Sequence, residues 1–302
     1  MNSFYPFWRT NLISMIVDII IPTYNRANLL PETLRGVQAQ IYPKWRCWIV
    51  EDGKTPETLE AITPFLKDDR FIYLSGDHAG KPARPRNRAI LQGNAEFIAF
   101  LDDDDLWLPE KLKRQVDFME RHPGCMLLGC NAYRWSGSEK WNTSTPLYFQ
   151  KKVFSGHIPY ELFVQENYII LSSAIIRRVV LDRSGMFNET LSIAEDYELW
   201  LRIGALGEIW NIPDPLLVYR DVEPSFYPKL NRQENYRTRA SILDSALNGV
   251  GSVPSPFSYP ENKRSAAACR YEKKFYLAGP RFLGRFRHKL ALKIKGCLSR
   301  PL

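Results

Sequence analysis

No uninterrupted apolar run in this chain reaches the roughly 18 residues that a membrane-spanning helix needs. The best stretch, residues 15–21, is broken by Asp18, so no span is expected. The chain is equally poor in the side chains that build metal cages and disulfide frameworks. Its five cysteines are an odd number with no Cys-x-x-Cys pair, which speaks against both and fits a reducing cytoplasm. Of four histidines, His122, His157 and His288 show no ligand spacing, and His78 reads as a loop residue. Neither phosphate-cradling glycine loop is present, G-x-x-x-x-G-K-[ST] or G-x-G-x-x-G, so a P-loop enzyme and a dinucleotide-binding Rossmann protein are both unsupported. Residues 1–14 lack a positive start, an apolar core and a small-residue cleavage site; they read as a tail, not a secretion signal.

What is present is a folded protein. With 302 residues, 45% hydrophobic and 13% aromatic, the chain can build one large α/β domain with an appendage, or two small domains. Its net charge of +8 is unevenly spread. Residues 271–302 hold nine Lys/Arg against one acid, Glu272, so the body is neutral and the tail carries the whole excess. That argues for a local basic patch and against a general nucleic-acid surface.

Four short runs rich in β-branched and aromatic residues, 17–22, 45–50, 71–74 and 97–101, alternate with helical spacing over 29–40, 56–66 and 86–92. This alternation predicts βαβ units and a mostly parallel sheet, whose ligands sit beyond the carboxyl ends of the strands. There the chain delivers Pro22, Thr23, Tyr24, Asn25 and Arg26 after the first strand, Glu51, Asp52 and Gly53 after the second, and Asp102, Asp103, Asp104 and Asp105 after the fourth. Four consecutive carboxylates at one strand mouth repel. A pair at ~4 Å costs about 1 kcal/mol in water and several times more in a half-buried cleft. A divalent cation with hard oxygen ligands neutralises them, and Mg²⁺ takes phosphate oxygens as its other ligands. Further on, Pro109 suits the first turn of a helix to about 121, 126–133 and 171–177 read as strands, 194–205 as a helix and 216–219 as a short strand. From about 228 the pattern turns helical and polar, with a Gly/Pro/Ser linker over 249–260.

Five blocks in order give the chain its resemblance to the family 2 glycosyltransferases of GT-A fold. VDIIIPTYNR over 17–26 resembles the opening strand and loop, and WIVEDG over 48–53 the second strand with its acidic turn. RNRAI from Arg86 is similar to the ARNxGI helix start, FLDDDDLWLP over 100–109 to the metal block, and AEDYELWLRI over 194–203 to the acceptor block. Together they span roughly residues 15–220. The resemblance implies an inverting transferase using Mg²⁺ or Mn²⁺ and a nucleotide-sugar, with a UDP-sugar favoured. It implies that Thr23 and Tyr24 flank the base and that Asp52, or Glu51 beside it, accepts from a ring N–H. Asp104 would ligate the metal, while Asp102 holds the ribose or a metal-bound water. Between Asp103 and Asp105 spacing does not choose which one assists. Lys81 and Arg86 would add positive charge near the phosphates, and Asp196, with Glu195 beside it, would be the general base. Glu51 for the common aspartate, Ala89 for a frequent glycine and the proline-rich approach over 81–85 are departures from the pattern.

Other readings stand beside these. Thr23 and Asn25 also suit turn and cap roles, and Glu195 and Asp196 suit a helix N-terminus without catalysis. Trp107 and Trp200 read as core aromatics that position the acidic loops, and Arg202 as the partner of an acid inside the fold. A D-x-D after a strand also occurs in aspartyl-phosphate phosphatases, although Leu106 fills that pattern's last position. A non-catalytic nucleotide- or membrane-binding relative is a third alternative. The expected organisation is a tail over 1–14, a catalytic domain over 15–228 with a nucleotide half (15–105) and an acceptor half (106–228), and a helical linker region over 229–302. Its segment 271–302 is basic and amphipathic, suited either to an anionic membrane surface or to packing back on the domain. The expected acceptor is a glycan or a lipid-linked glycan of cell-surface polysaccharide assembly. The expected location is the cytoplasm, peripheral on the inner face of the membrane where the tail engages it.

Overall fold

The computed structural model describes residues 16–137, 140–149, 156–164, 166–221 and 242. The chain divides into two compact units, Met1–Phe226 and Tyr227–Leu302, and the architecture below is that of the first. The tail 1–14, the linker 249–260 and the basic segment 271–302 lie outside the described residues.

The first half alternates as its sequence predicts: β1 (Val17–Thr23), α1 (Leu30–Gln38), β2 (Trp45–Asp52), α2 (Pro56–Ile62), β3 (Phe71–Gly76), α3 (Ala83–Gln92) and β4 (Phe97–Phe100). Every residue of β1 and β4 is buried, as strands covered on both faces require. β1 pairs in parallel with β2 on one side and β4 on the other, and β3 continues beyond β2. The chain therefore reverses its direction of growth between β1 and β4, and a crevice opens at their carboxyl ends.

The second half supplies β5 (Leu106–Trp107), α4 (Lys111–Arg121), β6 (Cys125–Trp135), β7 (Gly156–Ile158), α5 (Tyr160–Phe163), β8 (Ile175–Arg177), α6 (Leu181–Ser184), α7 (Glu195–Gly204) and β9 (Glu208–Arg220). Among the described residues all nine strands join one sheet, in the order β3-β2-β1-β4-β8-β6-β9-β5 with β7 on β9. β8 enters antiparallel to β4 and β6 and so turns a parallel sheet into a mixed one.

Two expectations are corrected here. The strand expected over 171–177 starts only at Ile175, because Leu171–Ser173 is a 3-10 turn. Ser173 Oγ bonds locally, donating to the Ile170 carbonyl at 2.6 Å, while Ser172 Oγ reaches the mouth of β4 and accepts from the Asp102 amide at 3.0 Å. The short strand expected over 216–219 is the end of the thirteen-residue β9. Pro213 and Pro215 hide it in the sequence, and register shifts around Asn131 in the facing β6 absorb them.

Two packing devices hold the mouth of β4 in place. Gly36 of α1 lies against the Trp107 backbone, where a Cβ would stand 3.1 Å from the Trp107 carbonyl oxygen. Gln40 donates to the Leu108 carbonyl at 2.8 Å and accepts from the Leu112 amide at 3.0 Å. At the opposite, amino end of the parallel strands the wholly buried Asp18 accepts from Arg46, Trp48, the Ala95 amide and Arg178, at 2.7 to 3.1 Å.

Candidate active site

The crevice collects the polar ends of three strands. Pro22 is buried in β1, and Thr23 ends that strand. Asn25 then adopts a left-handed φ of 52°, a region that asparagine tolerates. The turn brings Arg26 back to Asp104, with Nη1 donating to Oδ2 at 3.0 Å. Tyr24 is 44% exposed and stacks on the His78 ring, with centroids 4.2 Å apart and planes 19° from parallel.

The two acids after β2 are both engaged. Glu51 is wholly buried; it accepts from the Thr55 amide at 3.0 Å, from the Thr55 hydroxyl at 2.7 Å and from the Tyr73 hydroxyl, and so fixes the start of α2. Asp52 accepts from the backbone amides of Ala79 at 2.7 Å and Gly80 at 2.8 Å. His78 Nδ1 lies 3.1 Å from the same carboxylate. Asp52 thus holds the loop that carries the imidazole against Tyr24.

Beyond β4 the chain turns over its own aspartates. Asp102 is seated by its amide on Ser172 Oγ, while the Asp103 carbonyl accepts from the Thr33 hydroxyl at 2.9 Å. Asp105 is buried and accepts from the Arg220 amide at 2.8 Å. Asp102 and Asp104 keep 30% and 25% of their side-chain surface open to the crevice. Burial pushes Asp102 up to about 6 despite the Arg86 guanidinium, and the Asp104 charge pushes in the same direction. Burial also raises Asp103 to about 7, partly offset by the Thr23 hydroxyl, and lifts Asp105 well above the usual carboxylate range.

One buried guanidinium, from Arg86, joins this block to a glutamate 109 residues beyond that arginine in the chain. Arg86 Nη2 donates to Asp102 Oδ1 at 2.7 Å, and Nη1 donates to Glu195 Oε1 at 2.6 Å. Glu195 opens α7 directly after Ala194, whose left-handed φ of 55° costs about 1 kcal/mol in a non-glycine residue. Asp196 follows, half-buried, with Oδ2 3.4 Å from the Asn167 amide nitrogen. Burial first, and then the Glu195 charge, push Asp196 up to about 7. A carboxyl poised there can accept a proton near neutrality.

The scaffold behind α7 is built from the same blocks. Asn87 donates to the Phe187 carbonyl and to Glu189 Oε1, both at 2.9 Å, and accepts from the Phe187 amide at 3.0 Å. Lys81 donates to the Thr190 carbonyl at 2.9 Å and lies 3.4 Å from that of Glu189, so here it ties down a loop. Arg202 pairs with Glu198 through two hydrogen bonds and donates to the Ser184 and Met186 carbonyls, as its internal role requires. Trp107 and Trp200 are core aromatics; Trp107 Nε1 donates to the Ser172 carbonyl at 2.8 Å.

Among the described residues no three His, Cys, Asp or Glu side chains close into a metal cage. The donor set still fits a hard divalent cation that completes its shell with phosphate oxygens and water. Asp102 and Asp104 present oxygens to the crevice, and burial, with the Asp104 charge beside it, raises Asp102 despite the Arg86 guanidinium.

A parallel βαβ half with acids at its switch point, joined to a mixed half with an acid-led helix, is the GT-A arrangement of nucleotide-sugar transferases. The family model described as glycosyl transferase family 2 matches residues 18–185, and the chain belongs to that family. Among relatives, the chain is 30% identical over 277 residues to the Escherichia coli UDP-Glc:alpha-D-GlcNAc-diphosphoundecaprenol beta-1,3-glucosyltransferase WfaP, covering 83% of this chain and 99% of that one. It also matches uncharacterized Rickettsia glycosyltransferases, of whose length it spans 32%. Solved structures share the fold. S. aureus TarS 1-349 in complex with UDP-GlcNAc superposes with a TM-score of 0.66 at 20% identity, covering 87% of this chain and 72% of that one. The mannosyltransferase PcManGT from Pyrobaculum calidifontis, in complex with GDP-Man and Mn²⁺, gives 0.55 at 20% identity, with the same coverage. The block holding Glu195 and Asp196 lies beyond the residues of the family match.

Sequence reasoning missed His78, Asn87, Asn167 and Ser172 as members of this site. Asn87 stood inside a recognised block and was readable; the others gave no local signal.

Proposed function

We propose that this chain transfers a sugar from a nucleotide-sugar, a UDP-sugar favoured, to a hydroxyl of a glycan or lipid-linked acceptor, with inversion at the anomeric carbon. The observation that carries the reading is Arg86, wholly buried and bonded at once to Asp102 of the aspartate block and to Glu195 beside Asp196. It fixes a diphosphate-binding wall and a proton acceptor to one another across the crevice. Support for the donor and acceptor classes comes from the name of the E. coli relative and from the nucleotide-sugar complexes of the structural neighbours.

In this reading Tyr24 gives the base an aromatic face, Asp52 or Glu51 accepts from a ring N–H, and Pro22, Thr23, Asn25 and Arg26 shape the slot around it. Asp103 and Lys81 border the donor, and Arg86 adds positive charge behind the phosphates. Asp104 and Asp102 would hold Mg²⁺ or Mn²⁺, which supplies Lewis-acid stabilisation of the departing diphosphate when bound. Asp196 takes the acceptor hydroxyl's proton as that oxygen bonds to the anomeric carbon and the bond to the diphosphate oxygen breaks. The aspartyl-phosphate alternative gives no work to Asp196 and is not favoured by the family membership.

The setting that fits is assembly of a cell-surface polysaccharide or lipid-linked glycan at the cytoplasmic side of a membrane, with the basic segment 271–302 as the contact. Among the described residues no helix is long and apolar enough to cross a membrane. The test is transfer by the full chain from a panel of UDP- and GDP-sugars to N-acetylglucosaminyl diphosphate lipid, with Mn²⁺, Mg²⁺ or chelator. Metal-dependent product formation by the native chain, absent from Asp196→Asn while UDP still binds, supports the reading. Wild-type-like transfer by Asp196→Asn overturns the base assignment.

A further inference from the structure

Past β6 lies an aromatic surface that the scheme above does not use. Residues 146–149 lie alongside the end of that strand: the Arg134 amide donates to the Pro146 carbonyl at 2.7 Å, and the Tyr148 amide to the Ala132 carbonyl at 2.8 Å. Asn131 closes the pairing with bonds at 3.1 Å to both backbone groups of Phe149. On the other side of β6, the register sets Ala132 opposite Leu217 and Arg134 opposite Tyr219. Alternation puts Ala132 and Arg134 on one face. There Tyr148 and Tyr219 meet edge to face, with centroids 5.0 Å apart and planes at 71°.

Tyr148 is held a second time, edge to face on Phe149 at 5.1 Å, yet 39% of it stays exposed. The Arg134 guanidinium carbon also lies over the ring, 6.0 Å from its centroid, so the surface left open beside that cation is the platform. Arg134 and Asp221 rim it, joined at 2.6 Å and 2.9 Å. The strand that backs the platform is tied to the aspartate run, because Arg220, the residue after Tyr219, donates its amide to Asp105 at 2.8 Å. The Tyr148 phenol is raised, first by burial and then by Asp196, Asp221 and Asp105, with Arg134 opposing, so these carboxylates lie within electrostatic reach.

We propose that Tyr148, backed by Tyr219 and flanked by Arg134 and Asp221, seats the sugar ring of the acceptor next to Asp196. The proposal rests on the glycosyl-transfer reading and adds to it the place and chemistry of acceptor recognition. Aromatic faces are electron-rich, so they attract the slightly positive C–H face of a pyranose. The charged pair at the rim offers donors and acceptors for ring hydroxyls, and charge-assisted bonds are the stronger kind. A nucleobase has its own platform at Tyr24, and a lipid chain gains nothing from a charged rim.

The experiment uses N-acetylglucosamine α-diphosphate carrying a short alkyl chain as probe, with native protein, Tyr148→Ala and Tyr148→Phe, each checked for folding by circular dichroism. Saturation-transfer NMR reads contact and steady-state kinetics reads KM. Expected is saturation of the sugar-ring protons in the native protein, lost in Tyr148→Ala and kept in Tyr148→Phe. Acceptor KM should rise about three- to tenfold in Tyr148→Ala, with donor KM unchanged. Should Tyr148→Ala unfold, Tyr148→Ser with the same two readouts takes its place. Transfer with undiminished ring saturation in the alanine variant, or with saturation confined to the alkyl protons, overturns the seat and leaves the transferase reading intact. A native protein that neither transfers nor contacts the probe overturns both.

Discussion

The two ends of the parallel strands each bury carboxylates, and they treat them in opposite ways. At the amino end Asp18 takes hydrogen bonds from two arginines, an indole and a backbone amide, and it binds β1, β2 and the turn after β8 into one piece. At the carboxyl end Asp102, Asp103 and Asp196 are raised to between about 6 and about 7, because burial and their neighbours' charge exceed what Arg26 and Arg86 return. A carboxylate whose lone pairs the protein fills is architecture. A group of carboxylates left short of positive charge suits, under the proposed function, a cation, a diphosphate held through it, or a proton in transit.

The sharpest break of this comparison is in activity. Asp196→Asn should lower transfer by about a thousandfold, within the roughly 10²–10⁴ typical of a lost general base, and leave the urea midpoint unchanged or higher. A variant that transfers normally, or one that unfolds, would put Asp196 in the architectural class. Next in size, Asp18→Ala should cost about 3 kcal/mol by urea denaturation, since it strips a buried carboxylate from its guanidinium partners. UDP binding by the folded fraction should not change. A loss under about 1 kcal/mol would mean that the network carries little.

The pH dependence sharpens the contrast. Asp196 has a folded-state pKa above its unfolded value, so the native state holds the extra proton between about pH 4 and about pH 7. Its contribution to stability is therefore lost as pH rises through that window, while the transfer rate rises through about 7 as the base becomes competent. Glu195→Gln removes the neighbouring charge that raises Asp196 and should shift the rising limb of the rate profile downward, by about one unit or less. An unmoved limb would disconnect the two acids.

Smallest is the effect at Lys111, a wholly buried amine whose Nζ donates to Gln115 at 2.7 Å and lies 3.9 Å from the centre of the Trp107 ring. Burial lowers its pKa to about 8, so stability should rise with pH from about 8 to about 10.5 as the unfolded state gives up its proton. Lys111→Met should flatten that rise and add about 1 kcal/mol at neutral pH. Urea midpoints at about pH 7 and about pH 9.5 read both, and an unchanged slope would assign the pH response elsewhere.

The half of the molecule that reads well in sequence is the half with local signals. β1, β2, β3 and β4 are apolar runs ended by polar residues, so both the parallel sheet and the aspartate block show in the primary structure. The site's internal wiring does not, because it joins residues far apart. Arg86 reaches Asp102 and Glu195 across 16 and 109 positions, and Asn87 reaches Phe187 across 100. Spacing could nominate Arg86 for the phosphates and could not reveal that the same guanidinium bonds to Glu195 at the start of α7. β9 stayed hidden for a different reason, since its prolines break the strand pattern and only the partner's register shifts accommodate them. The aspartate run, by contrast, needed no partner to be noticed.

Calorimetric titration of UDP into native protein and into Asp104→Ala, with Mn²⁺ or with chelator, tests the central claim most directly. The account predicts binding heat for the native protein with Mn²⁺, and its loss both on chelation and in the variant. Equal heats in all four titrations, or none in any of them, would contradict it.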